Sequence, residues 1–204
     1  MSRFIVFEGG EGCGKSTQAR LLASRLGAVL TREPGGTAVG ERIRSIVLDV
    51  GLAAPLHPRA EALLMAADRA QHVAEVVRPA LSAGRDVVSD RFSGSTLAYQ
   101  GFARGLPIDE LSRMSAWATD DLEPDLVILL DVPPPVAALR MRDAPDRMEA
   151  AGDEFHRRVA EGYRALAASQ PGRWVVVDGS GTVGEVEARV AQVVAAAAGA
   201  PAMP

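Results

Sequence analysis

FIVFEGGEGCGKS, residues 4 to 16, joins four apolar residues to a glycine-rich turn that closes on Gly14-Lys15-Ser16. An amphipathic segment with Ala19, Leu21 and Leu22 follows at once. The order reads as strand, loop, helix. The spacing Gly9-x-x-x-x-Gly14-Lys15-Ser16 fits the phosphate-binding loop pattern, in which glycines turn successive backbone N–H groups inward around an anion at a helix N-terminus. In that pattern the lysine adds a charge for the outer phosphates and the serine hydroxyl is a ligand for magnesium. The other reading is a glycine-rich turn that only connects a strand to a helix. Composition favours the first, because Lys15 is the only lysine among 22 Lys and Arg residues. A compact ammonium fits beneath a backbone cradle where a planar guanidinium would not.

The rest of the composition bounds the partners. At 204 residues, 48% of them apolar and 24% charged, the chain has the size and make-up of one soluble domain. A formal charge of −4 gives no broad footprint for nucleic acid and points to small-molecule substrates. Cys13, the one cysteine, excludes an internal disulfide and fits a reducing compartment. Beside a helix N-terminus and a lysine, its thiol is either reactive or simply a small filling of a tight loop. The N-terminal apolar run feeds the loop and is not expected to be a signal peptide. With no apolar stretch long enough for a membrane, the expected location is the cytoplasm.

Further along, strands are expected at 28–31, 86–90, 125–131 and 174–178. Helices are expected at 39–48, 58–81, 108–120, 133–141, 155–167 and 183–197, with fraying after Val194. The alternation predicts an α/β chain with a five-stranded parallel sheet and helices on both faces. Ligands of such sheets bind outside the carboxyl ends of the strands, which puts Asp90 at the cleft and Arg32 there to bind an anion, unless it is a solvated loop arginine. Asp90 is placed to hold magnesium or its water shell, unless it only pairs with Arg91. His72, alone on a helix, is expected to be a packed or surface residue. Residues 93–105, SGSTLAYQGFARG, carry hydroxyls, Tyr99 and Gln100 suited to a polar aromatic ligand, or else form a polar loop followed by a helix. Residues 140–149, RMRDAPDRME, read either as a solvated charged loop or as a mobile arginine-bearing lid.

FEGGEGCGKST (7–17), TREPGGT (31–37), EALLMAADRAQHV (61–73), SDRFSGSTLAYQG (89–101), PDLVILLDV (124–132), DRME (146–149) and FHRRVAEGY (155–163) occur in this order. Together they resemble bacterial thymidylate kinases over nearly the whole chain. The resemblance implies a P-loop NTPase fold with a short lid at about 140–150, transfer of a phosphoryl group from Mg-ATP to dTMP, and a homodimer with its interface on 58–81. It implies ATP binding by Gly9, Gly10, Glu11, Gly12, Cys13, Gly14, Lys15, Ser16 and Thr17, with magnesium at Ser16 and Asp90. Glu11 would reach the acceptor's sugar, and Arg32 and Arg91 would hold its phosphate. Arg69, Thr96 and Gln100 would meet the base, beside the hydroxyl of Ser95, and Tyr99 would fill the space of a ribose 2'-hydroxyl. Met65 stands where many members stack a phenylalanine on thymine. Without an arginine inside its P-loop, the chain resembles the form whose catalytic arginine comes from the lid, which makes Arg142 and Arg147 the candidates beside Lys15 and Arg91. The rivals are a kinase for another small acceptor and a GTP-hydrolysing switch; the latter normally carries an Asn-Lys-x-Asp motif, and this chain has no asparagine.

Overall fold

The computed structural model describes residues 2–141 and 146–199. Five strands, β1 Phe4–Glu8, β2 Val29–Arg32, β3 Val87–Asp90, β4 Leu126–Asp131 and β5 Trp174–Asp178, form one parallel sheet in the order β2-β3-β1-β4-β5. Every residue of β1 is buried, as expected of a central parallel strand covered on both faces. Side-chain alternation divides it between two cores. Phe4 and Val6, with Val127 and Leu129 of β4, pack under α8 (Asp153–Ser169) through Val159, Tyr163 and Leu166. Ile5 and Phe7, with Ile128 and Leu130, pack under α1 (Lys15–Leu26) and α9 (Val183–Gly199). Thus helices cover both faces. No helix among the described residues is long and apolar enough to cross a membrane.

The remaining helices lie in the connections between strands. They are α2 Ala38–Val47, α3 Pro58–His72, α4 Arg78–Ser82, α5 Ser93–Thr96, α6 Ile108–Thr119 and α7 Pro134–Ala138. The expected single helix over 58–81 is instead interrupted. Between α3 and α4 the chain widens to a π-type turn over Val73–Val77, with Arg78 N–H reaching back five residues to Val73 O. Pro79 supplies the cause, since it has no N–H and its ring would crowd the carbonyl four residues back. The polar segment after Arg91 has no loop before its helix. It is α5 running into a second π-type turn, Leu97–Ala103, again with a five-residue bond from Arg104 N–H to Tyr99 O. Two other ends move: α7 stops at Ala138, short of the expected Met141, and α9 continues past Val194 to Gly199.

Candidate active site

The loop after β1 is shaped by glycine geometry. Gly12 has φ +69°, and a Cβ there would stand 2.4 Å from Ala137 O, so no side chain fits. Gly14, at φ 93°, caps α1 and releases its first N–H groups towards the turn. Lys15 is buried to 6% exposure, and its Nζ donates to Gly10 O at 2.7 Å beneath the loop. Residues Glu11 to Gln18 line a cleft closed on its far side by Arg140, Gly179, Gly181, Thr182, Val183 and Val186. Gly9 and Gly10 stand behind this wall, their carbonyls accepting from Arg91 and Lys15. Cys13 is buried, with Sγ 2.8 Å from where a Cβ on Gly9 would lie, so it fills the tight loop. Arg140, which sequence reasoning passed over, borders this cleft with its guanidinium fixed on Gly179 O at 3.0 Å and Gly181 O at 3.1 Å.

Ser16 and Asp90 meet at the same end of the sheet. The Ser16 hydroxyl donates to Asp90 Oδ2 at 2.5 Å, while Asp90 Oδ1 is buried without a partner. One hydroxyl, one carboxylate and an orphaned oxygen suit a hard cation that takes most of its ligands from phosphate and water. No group of three or more His, Cys, Asp or Glu side chains that could hold a metal occurs among the described residues.

A second cleft opens beside the first, and Glu11 lines both. Its wall brings together Glu11, Met65, Arg91, Ser95, Tyr99 and Gln100 of the expected substrate residues. It adds Pro34, Arg44, Val47, Leu48, Asp146, Met148 and Glu149, which were not foreseen. Arg91 is the hub. It follows β3 at φ +74°, a left-handed conformation costly for a residue with a Cβ, and its N–H is held by Phe7 O at 2.9 Å. Its Nη1 donates to Gly9 O, Ser95 Oγ and Tyr163 OH at 3.0–3.1 Å, and its Nη2 to Glu11 Oε1 at 2.5 Å and Tyr99 OH at 3.2 Å. Burial disfavours ionisation of Glu11, but Arg91, Lys15 and the Tyr99 hydroxyl outweigh it and bring the carboxyl down to about 2. Glu8, fully buried behind Arg91, accepts from Phe92 N–H, Ser95 N–H, Ser95 Oγ and Tyr163 OH. Burial raises its pKa against those bonds.

Three expected substrate residues lie elsewhere. Arg32 is half-exposed at the end of β2, paired with Glu41 at 2.6 Å. Arg69 is fully buried beneath the cleft, with Nε on Glu33 at 2.9 Å, Nη1 on Ser115, and Nη2 on Phe92 O and Thr96 Oγ1. Thr96 is therefore turned to Arg69 and is itself fully buried. His72 completes this layer, with one ring nitrogen 2.8 Å from Glu33 and the other 2.7 Å from Thr31 Oγ1. In it Asp68 accepts from Gly35 N–H through Oδ1, leaves Oδ2 without a partner, and has its pKa raised by burial and by Glu33 to about 6.

Of the lid candidates, Arg142 lies outside the described residues. Arg147 is turned away from both clefts: its Nε donates to Val47 O at 2.7 Å and its Nη2 to the buried Glu61 at 2.6 Å. In this arrangement the Arg147 guanidinium is held by a buried carboxylate.

Two clefts that meet at one carboxylate, one of them built on a phosphate-binding loop, put the chain among the P-loop enzymes that bring two ligands together at the end of a parallel sheet. The family model "Thymidylate kinase" matches residues 7–190. The thymidylate kinase of Synechococcus sp. (strain JA-2-3B'a(2-13)) is 49% identical over 196 residues, covering 94% of this chain and 93% of that protein. That of Cutibacterium acnes (strain DSM 16379 / KPA171202) is 48% identical over 194 residues, covering 93% and 94%. The crystal structure of thymidylate kinase from Ehrlichia chaffeensis superposes with a TM-score of 0.79 at 31% identity, covering 95% of this chain and 98% of that one. The chain belongs to the thymidylate kinase family.

Proposed function

We propose that this protein transfers the terminal phosphoryl group of ATP to dTMP, giving dTDP on the way to dTTP. Family membership supports the reaction class. The observation that carries the acceptor is the buried, unpartnered Oε1 of Gln100 in the second cleft. An orphaned acceptor there calls for a donor on the ligand, and the N3–H of thymine is one. Met65, buried at 6% exposure on the same wall, lies against the base, and Tyr99 stands where a ribose 2'-hydroxyl would enter. Arg69 and Thr96 support this wall from behind.

The backbone N–H groups of residues 9–14 and Lys15 hold the donor phosphates, with Thr17 alongside. Ser16 and Asp90 hold Mg2+ or its water, and when bound the ion neutralises charge on those phosphates. Arg91 holds the acceptor phosphate, joined by Arg32 from the end of β2, and Glu11 addresses the sugar. The attacking phosphate oxygen is already ionised, so the chemistry needs positioning and charge neutralisation and no general base. A lid arginine, Arg142 or Arg147, serves the transferring group. The single unit of residues 1–204, with its lid at about 140–150, works as a homodimer in the cytoplasm.

The test is ADP formation from Mg-ATP with dTMP, dUMP, UMP, dCMP, AMP and GMP as separate acceptors. The expected order is dTMP first, dUMP roughly 10 to 200 fold behind for want of one methyl, and UMP poor. ATP consumption that is the same with and without acceptor would overturn the proposal.

A further inference from the structure

We infer that Glu61, outside the cleft, sets which nucleobases the cleft accepts by locking the side-chain amide of Gln100; this rests on the reading of Gln100 given above. Glu61 is fully buried on α3. Its Oε1 accepts from Gln100 Nε2 at 2.8 Å and lies 3.5 Å from Arg104 Nε, and its Oε2 accepts from Arg147 Nη2 at 2.6 Å. Both carboxylate oxygens face nitrogen donors only, so each is used as an acceptor. The Gln100 amide therefore turns its NH2 towards Glu61, and Oε1, buried and without a partner, is the end left for a ligand in the cleft that Gln100 lines. An amide is otherwise nearly symmetrical in shape and offers either end, so the carboxylate converts a two-way reader into a fixed acceptor. Thymine and uracil present N3–H to it and are matched; cytosine presents a bare N3 and is refused. Glu61 is thus a positioning residue, acting on specificity through Gln100.

The experiment compares wild-type protein with Glu61→Gln, measuring KM for dTMP and the inhibition constant of dCMP as its competitor. A neutral amide at position 61 both donates and accepts, so Gln100 is free to turn. The ratio of the dCMP inhibition constant to the dTMP KM is expected to fall at least roughly tenfold, with kcat within about twofold. A smaller fall in a folded variant overturns the inference. Arg104→Gln, which removes a neighbour of Glu61 without touching the amide, is expected to leave the ratio unchanged, and a similar fall there would mean that Glu61 acts only through packing. Gln100→Leu separates the two claims: an unmoved dTMP KM would overturn the reading of Gln100 itself. Should Glu61→Gln fail to fold, the wild-type protein decides. With glutamine labelled by 15N, the Gln100 side-chain amide hydrogens, assigned by their loss in Gln100→Leu, are expected to exchange slowly without nucleotide. Rapid exchange would overturn the lock.

Discussion

At the scale of single residues, the buried carboxylates carry opposite signs in the pH dependence of stability. Glu11 has a folded pKa of about 2, below its ordinary value of 4.5, so its contribution is present above 4.5 and lost as pH falls towards 2. Asp68 has a folded pKa of about 6, above its ordinary 3.8, so the folded state holds that proton more tightly. Its contribution is complete below 3.8 and lost as pH rises through about 6, by up to ~3 kcal/mol for roughly two pK units. Thermal melting between pH 5 and 8 should show wild-type stability declining through about 6 and Asp68→Asn lacking that decline; parallel curves would rule out this role. Met65 bears on affinity. A thioether against a ring is worth ~0.3–1.5 kcal/mol and aromatic stacking ~1–3. Met65→Phe should lower the dTMP KM several-fold at nearly constant kcat, and an unchanged or higher KM would contradict the stacking role.

Elements explain what was legible in the sequence and what was not. The glycine loop, the strands and the acid ending β3 were readable because their chemistry is local: a few consecutive residues specify each. The partner of Arg147 was not legible, since nothing in a charged stretch points to the buried Glu61, 86 residues away. Tyr163, Arg44 and Arg140 gave no local signal of their roles, and Glu8 little, because those roles come from partners brought together only by folding. The one available hint at Glu8 was a carboxylate closing an otherwise apolar buried strand. The π-type turn over Leu97–Ala103, which carries Tyr99 and Gln100, also rests on a distant contact. It packs on α8 at Gly162, where a Cβ would stand 2.7 Å from Phe102 Cγ and 2.8 Å from Phe102 Cβ. Helix propensity favours alanine there by ~1 kcal/mol, but overpacking against the root of a ring costs ~1–3. Gly162→Ala should therefore lower the melting temperature and raise the dTMP KM; a more stable variant would show that Phe102 yields freely.

For the whole molecule, the face formed by α3 and α6 stands out. Trp117 is 84% exposed and Leu63 61%, beside a shallow apolar groove that includes Met114 and Leu111. A face of this kind suits association, and it extends the stretch to which the interface was assigned from sequence. Sedimentation should give a mass about twice the 21.4 kDa of one chain, and Leu63→Arg with Trp117→Arg should halve it. An unaltered mass in that variant would place the interface elsewhere.

The two clefts are suspended from neighbouring rungs of one ladder. β1 ends in the glycine loop and β3 in Arg91, with Phe7 registered opposite Asp90 and Arg91 bonded to Gly9 O at 3.1 Å. Adjacent strands of a sheet stand ~4.8 Å apart, a spacing fixed by backbone hydrogen bonds and indifferent to side chains. The sheet therefore works as a gauge for the gap between the two ligands. Outer helices are free to drift in sequence, altering stability and partner choice, while the distance that matters for transfer is kept by the one part of the molecule that mutation barely reaches.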